Sequence, residues 1–181
     1  MVNETIEATV AFIDICRFTS ISEKETPDTV VSMLNTYFDL MAKEIIDQQG
    51  IIDKFIGDCV LVVFKGPYHT DRAIDACLAI RNKIEALPGL DDFSPQVSIG
   101  INAGEMISGN IGSVTLRRLD FTVVGDTVNT AQRLQTVAGI GQIVISEACW
   151  KKVKESFNCQ LIGPTRLKNK AEEVMIYEVL N

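Results

Sequence analysis

Ile51-Ile-Asp-Lys-Phe-Ile-Gly-Asp-Cys-Val-Leu-Val-Val-Phe64 holds two short apolar runs separated by Gly57-Asp58. Two such runs around a glycine-containing turn read as a β-hairpin, here with Asp58 at its tip. A helix is expected on each side of it. Upstream, Thr26-Pro27-Asp28 is a helix start, with Thr as N-cap, Pro at the first helical position and an acid in the first turn. Val30, Leu34, Tyr37, Phe38, Met41 and Ile45 then share one helical face, and the helix ends near Gly50. Downstream, Thr70 starts a helix whose apolar set is Ala73, Ile74, Cys77, Leu78, Ile80 and Ile84. Ala8 to Ile15 reads as a buried strand before this block, and Gln96 to Ala103 as a strand after it. Strand, helix, hairpin, helix, strand is the order of a ferredoxin-like βαββαβ core. The expected fold class is therefore α+β, with a mostly antiparallel sheet flanked by helices. A further strand from Glu105 to Ile111 and a third helix from Thr127 to Val137 follow. Ile143 to Ile145, a short helix from Glu147 to Glu155, and strands near Leu161 and Val174 to Val179 complete one domain over 1–181.

Two carboxylates interrupt the apolar strands. Asp14 lies in Phe12-Ile-Asp-Ile-Cys-Arg-Phe-Thr19, and Asp58 at the hairpin tip. A lone carboxylate is costly to bury unless it is paired or holds a cation. In the expected core the hairpin tip packs beside the end of the first strand, so the two aspartates meet at one sheet edge. That pairing suggests a divalent-metal site of hard oxygen ligands. Asp58 alone reads equally well as a turn residue, and two carboxylates fix neither the metal nor the reaction.

Composition narrows the classes. The chain has 181 residues, 46% hydrophobic and 23% charged, as for an ordinary globular domain. A net charge of -7 argues against a nucleic-acid-binding surface. The longest fully apolar run, Cys59 to Phe64, is too short to span a bilayer. Glu4 and Glu7 occupy the place of a basic signal-peptide n-region. Five cysteines without a CxxC pair point to a reducing, cytoplasmic setting and to core filling rather than zinc. The single histidine, His69, precedes a helix and reads as a surface or cap residue, and the glycines of Gly100 to Gly112 form no phosphate-binding P-loop.

Four ordered motifs carry a resemblance over nearly the whole chain. They are Phe12-Ile-Asp-Ile-Cys-Arg-Phe-Thr, Asp53-Lys-Phe-Ile-Gly-Asp-Cys, Ile99-Gly-Ile-Asn-Ala-Gly, and Asp120-Phe-Thr-Val-Val-Gly-Asp-Thr-Val-Asn-Thr-Ala-Gln-Arg-Leu134. Together they resemble the catalytic domain of class III nucleotidyl cyclases. The resemblance implies that Asp14 and Asp58, assisted by the Ile15 carbonyl, hold two Mg2+ or Mn2+ ions. It implies that Lys54 and Thr122 read adenine, that Asn129 and Arg133 act on the transition state, and that Lys168 and Arg118 contact the triphosphate. Asn169 stands where the family usually has glycine. Thr122 stands where many members have aspartate and resembles the bicarbonate-responsive subgroup, which makes bicarbonate a candidate partner.

The chemistry fits these residue types. Arg133 offers a planar fork of donors where charge builds on the α-phosphate. Asn129, four residues earlier, shares its helix face. Lys54 can donate to adenine N1, whereas guanine N1 carries a proton. In the family the active site lies between two domains, and this chain carries both sets of residues. A symmetric homodimer with two sites is implied. The activity implied is conversion of ATP to 3',5'-cyclic AMP and pyrophosphate. Guanylate or mixed specificity, and a catalytically weak nucleotide-binding regulatory module, are the alternatives. The chain opens directly on its first strand, which suits the catalytic piece of a longer protein with regulatory domains.

Overall fold

In the computed structural model, which describes residues 3–181, strand β1 (Glu4–Ile15) is paired on both edges. After β1 come α1 (Phe18–Ser22), α2 (Pro27–Asp47), β2 (Ile51–Ile56), β3 (Cys59–Lys65), α3 (His69–Glu85) and β4 (Val97–Ser113). Then follow β5 (Arg118–Val124), α4 (Asp126–Val137), β6 (Ile143–Ser146), α5 (Glu147–Val153), β7 (Cys159–Thr165) and β8 (Val174–Val179). The sheet order is β2-β3-β1-β4-β6-β8-β7, with β5 paired to β4. The first four strands in that order are the expected ferredoxin-like core, and all of their pairings are antiparallel. The only parallel pairing among the described strands joins β4 to β6.

The start of α2 follows the sequence closely. Thr26 accepts the Thr29 amide at 3.3 Å, and Pro27 opens the helix. Tyr37, Met41 and Ile45 are the residues of its apolar face that become fully buried. Alternation along β1 then builds two cores. Ala11, Ile13 and Ile15 join Val60, Val62 and Phe64 under α2 and α3. Ala8, Val10 and Phe12 join Leu61, Val63, Met106 and Val123 under Val128 and Ala131 of α4.

The strands differ from expectation in one region. Gln96 to Ala103 and Glu105 to Ile111 are not separate. They form the single strand β4, because β1 pairs straight through Gly104, which faces Ala8. Strand β5 was not expected; it returns along the far end of β4, so Ile107–Ser113 and Arg118–Val124 form a projecting two-stranded arm. Helix α3 starts at His69, one residue early, and His69 Nδ1 lies 2.7 Å from the buried Thr9 hydroxyl. His69, half-buried at the helix start, therefore also ties that helix to a strand. Among the described residues no helix is long and apolar enough to cross a membrane.

Helix α4 is fastened to β4 by close backbone contact. A side chain on Gly100 would meet Gln135 N at 2.1 Å and the Ala131 carbonyl at 2.4 Å. Three hydrogen bonds reinforce the contact: Gln135 Nε2 to Ser98 Oγ, Asn102 Nδ2 to the Thr127 carbonyl, and Thr127 Oγ1 to the Glu105 carbonyl. Gly100→Ala must push α4 off the sheet, since backbone atoms cannot yield. Overpacking of this kind costs about 1–3 kcal/mol. At roughly 2–4 °C per kcal/mol for a chain this size, a Tm loss on the order of 2–12 °C is expected by calorimetry. An unchanged Tm would contradict the contact.

Candidate active site

The end of β1 and the tip of the β2–β3 hairpin meet as expected. Asp14 is in register with Cys59, and the Ile15 amide donates to the Asp58 carbonyl at 3.3 Å. Asp14 and Asp58 are each partly buried. Burial first, and then the charge of Asp58, push the Asp14 carboxyl from its ordinary value of 3.8 up to about 6. Asp14 is thus held beside a second carboxylate at a place that disfavours its own charge. Among the described residues no third histidine, cysteine, aspartate or glutamate joins them into a cluster of metal ligands. The donor set fits a hard divalent cation that takes its remaining oxygens from backbone, water or a phosphate-bearing ligand. Cys59, beside the pair, is no nucleophile: burial and the two acidic charges push its thiol up to about 12.

A second group forms around β2. The pairing skips from Ile52↔Val62 to Lys54↔Leu61, leaving Asp53 in a β-bulge. Val62 faces the α2 core and Leu61 the α4 core, so the bulge carries Lys54 to the α4 side of the sheet. Strict alternation would have left Lys54 with Ile52 on the other side. Asp53 Oδ2 accepts the Thr122 hydroxyl at 2.7 Å and lies 3.4 Å from Lys54 Nζ. The structure therefore joins Lys54 to Thr122 through a residue that the motif contains but the sequence reading did not single out. A cavity of about 210 Å3 opens beside Asp53 and Thr122, with Ile6, Val63, Phe121 and Val123 among its walls. A wider cleft of about 850 Å3 beside α1, lined by Arg17, Lys24, Asp91 and Phe93, contains none of the candidate residues.

Asn129 and Arg133 lie on α4, exposed and half-buried respectively. Ala131 and Gln135 face the sheet at Gly100, so helical periodicity turns Asn129 and Arg133 to the opposite side. Asp14 lies at the sheet surface across from Ser98, which Gln135 contacts. Asn129 and Arg133 thus lie on the face of α4 turned away from the sheet that carries Asp14.

Lys168 is exposed in the β7–β8 loop. Leu167 anchors that loop in a cluster with Leu134, Val144 and Ile176, and Lys170 Nζ pairs with Asp126 Oδ2 at 2.6 Å. Asn169 has φ 60°, a left-handed conformation that glycine adopts freely and asparagine tolerates. Asn169 thus takes a backbone conformation that a glycine at this position would also accept. Arg118 is exposed at the start of β5, opposite Ser113 and about 13 Å along the strand from Thr122.

Comparison with known proteins places this geometry. The family model described as adenylate and guanylate cyclase catalytic domain matches residues 1–181. The chain is 33% identical to "Adenylate cyclase 1" of Rhizobium meliloti (strain 1021) over 186 aligned residues, covering 96% of this chain and 27% of that protein. The adenylyl cyclase CyaB of P. aeruginosa superposes with a TM-score of 0.89 at 30% identity, covering 100% of this chain and 97% of that one. The guanylate cyclase domain of RhGC from Catenaria anguillulae, solved in complex with GTP, gives 0.89 at 28% identity, covering 98% of each chain. This chain thus spans about a quarter of the length of the Rhizobium relative. It belongs to the adenylate and guanylate cyclase catalytic domain family.

The Asp14–Asp58 pair makes a pH prediction for the protein in chelator. Asp14 ionises near 3.8 when unfolded and near 6 when folded, so folding binds its proton more tightly. Between those values the folded state holds more protons than the unfolded state, and stability falls as pH rises. Asp14→Asn removes this term. The variant's Tm advantage over wild type should be absent below pH 4, grow up to pH 6, and level off above it. A pH-independent difference between the two melting curves would remove Asp58 and burial as the cause.

Proposed function

We propose that this chain is an adenylate cyclase, which converts ATP into 3',5'-cyclic AMP and pyrophosphate in a homodimer with shared sites. The observation that carries the choice of ATP is the Lys54–Asp53–Thr122 group beside the small cavity. Lys54 donates to adenine N1 and Thr122 accepts from the adenine amino group. Arg133 places its donors on the α-phosphate oxygens as charge builds there, and Asn129 orients the ribose. Lys168 and Arg118 hold the distal phosphates. The 3'-oxygen attacks phosphorus in line, and the bond to pyrophosphate breaks. Asp14 and Asp58, with the Ile15 carbonyl, would hold two Mg2+ or Mn2+ ions, whose chemistry is to acidify the 3'-hydroxyl and to neutralise the phosphates.

Two observations support a dimer. Asn129 and Arg133 lie on the α4 face turned away from the sheet that carries the aspartates, which supports a site whose two sets come from different chains. The β4–β5 arm also exposes Leu116 at 75%, Val114 at 78% and Phe121 at 66%, an apolar surface that association would cover. The second reading is a guanylate cyclase, favoured by the likeness to the GTP-bound RhGC domain. A cyclic-nucleotide assay with ATP and GTP in turn separates the two.

Mixing tests the shared site. Asp14→Ala and Arg133→Ala homodimers should each be nearly inactive while keeping a native circular-dichroism spectrum. In an exchanging equimolar mixture about half the dimers are mixed, each with one complete site, so roughly a quarter of wild-type activity should return. A mixture as inactive as its parents places the whole site within one chain. Lys54→Glu should weaken ATP use and favour GTP, whose N1–H and amino group can donate to the new carboxylate. An unaltered ATP-to-GTP ratio of kcat/KM would take Lys54 out of the base pocket.

A further inference from the structure

A threonine hydroxyl is a poor discriminator of bases on its own. It carries one proton and two lone pairs, and it rotates to donate or to accept as its neighbour requires. Facing adenine it can accept from the 6-amino group; facing guanine it can turn and donate to O6. Thr122, 7% exposed, does not have that freedom here. Its proton is committed to Asp53 Oδ2 at 2.7 Å. We infer that Asp53 is a specificity-determining positioning residue, which locks the Thr122 hydroxyl as an acceptor and so makes the pocket reject guanine.

The local structure supports the assignment. The Asp53 side chain is only 6% exposed, although it belongs to an edge strand where an aspartate could point to water. The bulge between Ile52 and Lys54 turns it inward, and β5 brings Thr122 to meet it. A carboxylate accepts and cannot donate, so the direction of the Thr122 bond is settled. The same oxygen lies 3.4 Å from Lys54 Nζ. One Asp53 oxygen therefore orients both groups that face the base: Lys54 keeps further N–H donors for N1, and Thr122 is left with lone pairs for the amino group. Guanine would meet the reverse pattern at both positions, an N1–H against an ammonium and an O6 against lone pairs. An unmatched polar edge in a pocket walled mostly by apolar side chains is penalised far more than a missing contact is.

This inference rests on the adenylate cyclase reading, and the experiment separates the two. The kcat/KM values for ATP and for GTP are measured at saturating Mn2+ for wild type, Asp53→Ala, Asp53→Asn, Thr122→Val and the Asp53→Ala/Thr122→Val double variant. Asp53→Ala should cut the ATP-to-GTP ratio about 10- to 100-fold, partly through a gain in GTP use, as expected when one polar mismatch is relieved. Asp53→Asn keeps an oxygen of the same shape that can accept the hydroxyl, and should retain most of the preference. Thr122→Val should lose the preference as Asp53→Ala does, and the double variant should lose no more than either alone. If Asp53→Ala lowers both substrates equally, Asp53 only props the bulge and the inference fails. Should Asp53→Ala not fold, Thr122→Val decides: an intact ratio overturns the inference, and a lost one with Asp53→Asn near wild type upholds it. A wild-type chain that makes no cyclic AMP, or prefers GTP, overturns the adenylate cyclase reading itself.

Discussion

The register of β1 governs where the chemistry can be. From Glu4 to Ile15 it pairs residue for residue with β4, and from Ala8 to Asp14 with β3. Both faces of the strand are buried, one under α2 and α3 and the other under α4. A slip of one residue would exchange those faces and bring Ile13 where Asp14 now stands. The pairing also sets the hairpin turn against Ile15, which is what brings Asp58 to Asp14. The meeting of the two carboxylates is thus imposed by a register that apolar burial on both sides enforces.

Much of this was legible in the sequence because it is written in short-range patterns. Thr26-Pro27-Asp28 marks a helix start by local hydrogen-bonding chemistry, and the structure has that cap. The hairpin is marked by apolar runs around Gly57-Asp58, and Gly57 takes a positive φ of 62° there. What was not legible depends on partners distant in the chain. Gly104 reads as a break between strands, yet pairing with Ala8 carries β4 through it. Arg118-Leu-Asp-Phe-Thr-Val123 does alternate, but Leu119 and Phe121 stay exposed while Thr122 is buried, because the segment's place is set by its pairing along β4.

The Lys54–Asp53–Thr122 group shows the same limit more sharply. Lys54 was legible only through its motif, because alternation along β2 assigns it to the wrong side of the sheet. The bulge at Asp53 reverses that assignment, and nothing in the Ile51–Ile56 composition signals it. Nothing adjacent to Asp53 in sequence marks it as buried. Only the arrival of Thr122 from β5, distant in sequence, turns it into a buried acceptor.

The bulge also bears on how such a domain can change its length. On an ordinary edge strand, gaining or losing one residue shifts a loop and is often absorbed. Here the extra residue sets the parity of the strand ahead of the hairpin turn. Losing it would restore regular pairing and swing Lys54 away from the α4 side, leaving Asp53 without its place against β5. Gaining another would misplace the same residues in the opposite sense. A substitution at Phe55 leaves that parity untouched, whereas a single insertion or deletion between the bulge and the Gly57 turn reverses it. This edge therefore tolerates a change of residue far better than a change of length.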